Sequence, residues 1–151
     1  MSTATQTYSV GINPGESSRL AAVFRRLPLV MFTFIFTVIS CRYLVNPIHY
    51  AAAAGISFTS SSGITIARVG FAALPLSFAI LALISLLSTR WRLGGLYMVL
   101  TVDTVVMAVR ILGFQLDHST ASARLLIPEA FLLILTLIAI RLESSAPTRT
   151  Q

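Results

Sequence analysis

Four apolar runs constrain this chain more than anything else in it: residues 27–45, 64–87, 93–114 and 125–140. Each is close to the roughly 20 residues that an α-helix needs to cross the hydrocarbon core of a bilayer. A chain of 151 residues that commits four such runs to a membrane has little left for anything else. The composition agrees. With 56% hydrophobic and only 11% charged residues, and a mean hydropathy of +0.85, the sequence is too apolar for a soluble domain of this size. The expected organisation is a polar, flexible N-terminal segment over 1–26, a four-helix transmembrane domain over 27–142 and a polar tail over 143–151.

The basic residues set the orientation. Net charge is +6, carried by eleven arginines and no lysine. Most of them flank the apolar runs instead of forming a basic face with interleaved aromatics, which excludes nucleic acid as a partner. Arg19, Arg25 and Arg26 precede the first run, Arg90 and Arg92 lie between the second and third, and Arg141 and Arg149 follow the fourth. The loops over 46–63 and 115–123 hold no Lys or Arg, with Arg124 at the edge of the second. By the positive-inside rule both termini face the cytoplasm and these two loops face outward. Short turns between the second and third runs, and between the third and fourth, make those helices antiparallel neighbours. The expected fold is therefore all-α, an integral membrane four-helix up-down-up-down bundle. A signal-peptide reading of Arg25-Arg26 and the apolar run after them is weaker, because the small residues Ala51 to Ala54 lie too far beyond that run to be its cleavage site.

Charge inside the runs is the next signal, because ionisable residues at membrane depth are costly and mark either a site or a structural tie. Arg42, Arg68, Arg110 and Glu129 each lie only ~5–8 Å from the outward end of their helix, at 1.5 Å of rise per residue. Asp103 stands apart. It lies two helical turns before Arg110 on the same face, ~10 Å deeper, and Arg110 leans back toward it because helical side chains point to the N-terminus. The sequence thus suggests an Arg110–Asp103 pair and an Arg68–Glu129 tie. Each charge also has a plain structural reading: Arg42 reaching the headgroups, the rest fixing helix to helix.

Two prolines add free carbonyls at this depth. Pro128 reads as the start signal of the fourth helix, and Pro75 as a kink in the second. His49, Asp117 and His118 read as solvated loop groups. Phe32, Phe34 and Phe36 read as packing or lipid-facing side chains, and Ala72, Ala73 and Ser77 as residues that permit close helix approach. The single cysteine, Cys41, falls in an apolar run and reads as a buried, inert thiol. With one cysteine there is neither an internal disulfide nor a Cys/His metal set.

No phosphate-binding glycine loop, HExxH pair or GxSxG elbow occurs, so no cofactor or metal is expected. Arg42, Arg68 and Arg110 set against Asp103 and Glu129 leave one positive charge in excess. That balance favours an anionic or strongly polarised head with its apolar part between helices. The leading expectation is a binding module or scaffold whose partners are membrane lipids, an amphipathic small molecule or another membrane subunit. An enzyme acting on an amphiphile would use Glu129 or Asp103 as acid or base, with Arg68 and Arg110 stabilising an oxyanion. A proton-coupled exporter would need a second copy of the chain.

From Asn46-Pro47 to about Leu142 the chain resembles the small four-helix bacterial membrane proteins grouped as domain of unknown function 4345. Arg68 with Phe71, Ala72 and Ala73 is similar to the opening of that family's second span. Arg110, Gly113 and Asp117 are similar to the end of its third, and Glu129 to a carboxylate early in its fourth. His118 replaces the family's usual glycine, and Asp103 lies outside the pattern. The resemblance implies a four-helix fold in a bacterial inner membrane and a common set of Arg68, Arg110, Asp117 and Glu129. It implies no activity.

Overall fold

A computed structural model describes the chain over residues 14–117 and 120–145, with side chains described throughout except at 14–18, 117 and 120–124. Among the described residues the secondary structure is entirely helical. The elements are α1 (Pro14–Val45), the short α2 (Pro47–Ala53), α3 (Ser61–Leu87), α4 (Arg92–Asp117) and α5 (Thr120–Ser144). Four of them, all but α2, are long and apolar enough to cross a membrane. This is a membrane protein built of helices.

Local chemistry explains where the elements start and bend. Asn46 caps α2, its Oδ1 accepting the His49 N–H at 3.2 Å, and Pro47 follows at the first helical position, where its missing N–H is no loss. Gly55 closes the turn after α2 at a φ of 77°, a left-handed conformation that glycine adopts freely. Ser60 then caps α3 through its Oγ, which accepts the Gly63 N–H at 3.2 Å. Within α3 the expected kink takes the form of a π segment, Val69–Ala73, in which the Leu74 N–H reaches back to the Val69 carbonyl. Pro75 lies two residues beyond the segment and cannot bond to the Phe71 carbonyl, so the extra residue in this turn absorbs the missing bond.

Several boundaries move. Helix α1 is already under way at Pro14, so residues 14–26 of the expected flexible head are helical, while 1–13 fall outside the described residues. Helix α5 begins at Thr120, which puts Pro128 inside the helix and not in its first turn. Transmembrane helices tolerate such a proline because neighbouring helices and side chains serve the freed groups. The tail also starts later than 143, since Glu143 lies in the last turn of α5.

The long helices pack in a ring. α1 contacts α3, α3 contacts α4, α4 contacts α5, and α5 returns to α1, whereas α3 and α5 stand on a diagonal and make no contact among the described residues. Leu29 and Phe32 of α1, Ala82 of α3, Leu96 and Val99 of α4, and Leu132, Ala139 and Ile140 of α5 form the buried centre. Of the three phenylalanines of the first run, Phe32 stacks on Phe36 with centroids 4.0 Å apart, and Phe36 meets Phe78 edge-on at 6.5 Å. Phe34 points outward, 69% exposed, as do most large apolar side chains of the four helices, which is the pattern of a bundle solvated by lipid.

Candidate functional site

Helices α4 and α5 are joined by charge at both ends. At one end the Arg92 Nη1 donates to Glu143 Oε1 at 3.1 Å, and Arg25 of α1 approaches the other oxygen of Glu143 at 3.8 Å. At the other end the Arg110 Nε donates to Glu129 Oε1. The first pair joins the start of α4 to the finish of α5 and the second does the reverse, so these two helices run antiparallel. Measured from Arg92–Glu143, Arg110 stands ~27 Å up α4 and Glu129 ~21 Å up α5, with Asp103 at ~16 Å. By these heights Glu129 stands between Asp103 and Arg110, and it is Glu129 that pairs with Arg110.

Asp103 is therefore not the partner of Arg110. It is 5% exposed, and its Oδ2 is buried with no hydrogen-bond partner among the described residues. The Oε2 of Glu129 is buried and unpartnered in the same way. The Arg68–Glu129 tie also does not form, for a topological reason: Arg68 is on α3 and Glu129 on α5, the two helices that stand diagonally.

Arg68 instead lines an open groove of about 240 Å³ between α1 and α3. Its walls come from Ser40, Cys41 and Leu44 on one side and Thr65, Ala72 and Leu76 on the other, with Arg68 the one charged side chain among them. The small side chains of Ala72 and Ala73 hollow it out where the π segment bulges. Arg68 makes no ion pair among the described residues. Cys41, expected to be buried, is exposed on this groove. Its run of sequence is apolar because it faces lipid as well as protein, and apolarity alone does not distinguish the two.

Arg42 turns away from the groove and lies over the ring of Tyr50 at 5.7 Å from its centroid, a cation–π contact between α1 and α2. Tyr43 packs against both Tyr50 and Phe71, and His49 meets Tyr50 edge-on. The intramembrane charges are thus spread over separate places: Arg42 on Tyr50, Arg68 in the α1/α3 groove, Arg110 with Glu129 on the α4/α5 seam, and Asp103 beneath them. The side chain of Asp117 and all of His118 lie outside the described residues.

The Arg25–Glu143–Arg92 group was not expected from the sequence, where the arginines read as orientation signals and Glu143 as tail. Its signal was Glu143 itself, placed in phase with the fourth apolar run and two residues after Arg141. Among the described residues no three His, Cys, Asp or Glu side chains gather to hold a metal ion. Comparison with protein-family models, with curated proteins and with solved structures finds no match for this chain. The chemistry available is therefore that of its own residues: an exposed arginine at the rim of an apolar groove and, among the described residues, a carboxylate-rich seam closed by one arginine.

Proposed function

We propose that this chain is a membrane-embedded binding module for an anionic amphiphile, a long-chain carboxylate or phosphate held headfirst by Arg68 with its chain along the α1/α3 groove. An apolar groove with one exposed arginine at its rim carries this reading, the Arg68 stem lining it and the charged head standing outside. It is smaller than the roughly 300–1,000 Å³ of pockets that enclose a small molecule, and its open side suits an elongated segment lying in it. An arginine matches the bidentate geometry of carboxylate and phosphate, and an unpaired one on a lipid-facing surface draws such a head out of the bilayer plane.

In this proposal the bundle is up-down-up-down with cytoplasmic termini, supported by the arginines at 19, 25, 26, 90, 92 and 141. Arg68 then belongs to the outer leaflet. The resemblance to domain of unknown function 4345 supports the same residue, since Arg68, Phe71, Ala72 and Ala73 carry it and Ala72 and Ala73 line the groove beside Arg68.

Native mass spectrometry of the purified chain with an added long-chain fatty acid, and with its methyl ester, tests the proposal. Retention of the acid, lost in Arg68→Gln and absent for the ester, is the expected result. Equal retention of acid by wild type and Arg68→Gln refutes it.

A further inference from the structure

The α4/α5 seam holds more acid than base. Among the described residues Arg110 is its one cation, and it pairs with Glu129; the side chain of Arg124, farther out on α5, lies outside them. Asp103 lies ~5 Å nearer the membrane centre than Glu129 by helical rise, and, seven residues before Arg110, it shares the α4 face on which Arg110 meets Glu129. Asp103 is 5% exposed with an unpartnered Oδ2, and Glu129 brings an unpartnered, buried Oε2 to the same seam.

No other element supplies a counter-charge at this level. On α3 the only titratable residue is Arg68, which faces the α1/α3 groove. On α1, Cys41 lines that groove, and Arg42 and Tyr43 face α2. Tyr97 of α4 points outward, 52% exposed. Arg25, Arg92, Arg141 and Glu143 sit at the far end, ~16 Å from Asp103.

Two ionised carboxylates opposite one guanidinium would leave a net negative charge near the middle of the bilayer, where charge is least tolerated. Carboxyl groups in that situation share a proton, because like charges at close range do not both ionise. We propose that Asp103 and Glu129 form a proton-binding site, one proton being held between Oδ2 of Asp103 and Oε2 of Glu129. The acid pair then carries one negative charge, and Arg110 cancels it. The seam is neutral with the proton bound and negative without it. This site is separate from the groove of Arg68 and stands or falls independently of it.

Dicyclohexylcarbodiimide, an apolar reagent that adds to protonated carboxyl groups, tests the proposal on the full-length chain in lipid nanodiscs, with peptide mass spectrometry as the readout. One adduct per chain is expected, on Asp103 or Glu129, and it fades as the pH is raised. Because the proton is retained only by two acids facing one arginine, removing either acid should abolish labelling of the other. Asp103→Asn and Glu129→Gln should each lower the remaining label by about ten-fold or more. An isolated buried acid behaves differently, since Asp103 would stay fully labelled in Glu129→Gln. That outcome overturns the proposal, as do two adducts on wild type, none, or protection by sodium ions at constant pH. Should either variant fail to fold, infrared spectroscopy of wild type decides: the carbonyl band of one protonated carboxyl per chain is expected, and its absence refutes the shared proton.

Discussion

Gly95 sits where α3 and α4 cross, and replacing it with alanine tests whether that crossing is as close as the structure has it. A Cβ built at Gly95 collides with both Cβ and Oγ of Ser85 and lies 3.3 Å from Leu29 Cδ2. Neither Ser85 atom has room to swing aside: the Cβ is fixed to the backbone, and the Oγ donates to the Leu81 carbonyl at 2.8 Å. The two helices must therefore part by about an ångström, and a gap of that size forfeits about a quarter to a half of the dispersion attraction along the contact. Overpacking of this kind costs about 1–3 kcal/mol, and the better helix propensity of alanine returns about 1 kcal/mol. A net loss of up to about 2 kcal/mol is expected for Gly95→Ala. Ser85→Gly alone should also destabilise, through lost packing and a glycine inside a helix. In Gly95→Ala/Ser85→Gly the methyl moves from one helix to the other, the collision vanishes, and the double variant should be more stable than the two single losses add up to, by about 1 kcal/mol or more. Denaturant titration of the purified protein in mild detergent, followed by far-ultraviolet circular dichroism, reads all four corners of this cycle. Strict additivity in the double, or a Gly95→Ala variant more stable than wild type, refutes the close crossing.

Three other substitutions follow from the charges and caps. Glu143→Ala strands Arg92, whose side chain is 9% exposed, and should cost about 3 kcal/mol in the same titration, whereas Arg25→Gln, which breaks only the 3.8 Å contact, should cost under about 1 kcal/mol. Glu129→Leu removes the direct partner of Arg110 and leaves only the more distant Asp103 to answer it, so the melting temperature should fall, while Arg110→Leu/Glu129→Leu, which removes both charges of the pair, should recover most of that loss. Ser60→Ala removes the cap on the Gly63 N–H and should cost about 1 kcal/mol, seen as faster amide exchange over the first turn of α3 and little change elsewhere.

The four membrane-crossing helices were legible in the sequence because length and apolarity alone decide them: at ~1.5 Å per residue no shorter element spans the bilayer. Their ends were less so. The Arg92 start of α4 agrees with the apolar run to within a residue, but α1 and α5 begin earlier than theirs, at Pro14 and Thr120, because polar residues continue a helix beyond the hydrocarbon without any hydropathy signal. Helix α2 had a signal that went unused: Asn46-Pro47, a capping residue followed by proline, opens a helix by chemistry and not by periodicity. Cys41 shows the opposite limit. In a soluble protein an apolar neighbourhood means burial, but in a membrane it serves the lipid face equally well, and Cys41 lies there.

The partners of the charges depend on how the helices are arranged around the bundle, and hydropathy carries no such information. The sequence led to the expectation of Arg68, Arg110 and Glu129 near one level, yet a shared level pairs nothing unless the helices also touch. Because α3 and α5 stand diagonally, Arg68 is left facing the groove with α1, and Glu129 is left for Arg110. The same arrangement isolates Asp103. Its expected partner is taken by an acid that lies between them on the neighbouring helix, so an aspartate that read as the counter-ion of Arg110 becomes the second carboxylate of a seam with one arginine. A charge count over the whole bundle gives a positive excess, whereas the count over the described residues of this seam, Asp103 and Glu129 against Arg110, is negative. The excess cations stand elsewhere, Arg68 in its groove and Arg42 on Tyr50, too far around the bundle to answer Asp103. It is this local imbalance, which no total over the chain reveals, that makes a proton the simplest counter-ion at Asp103.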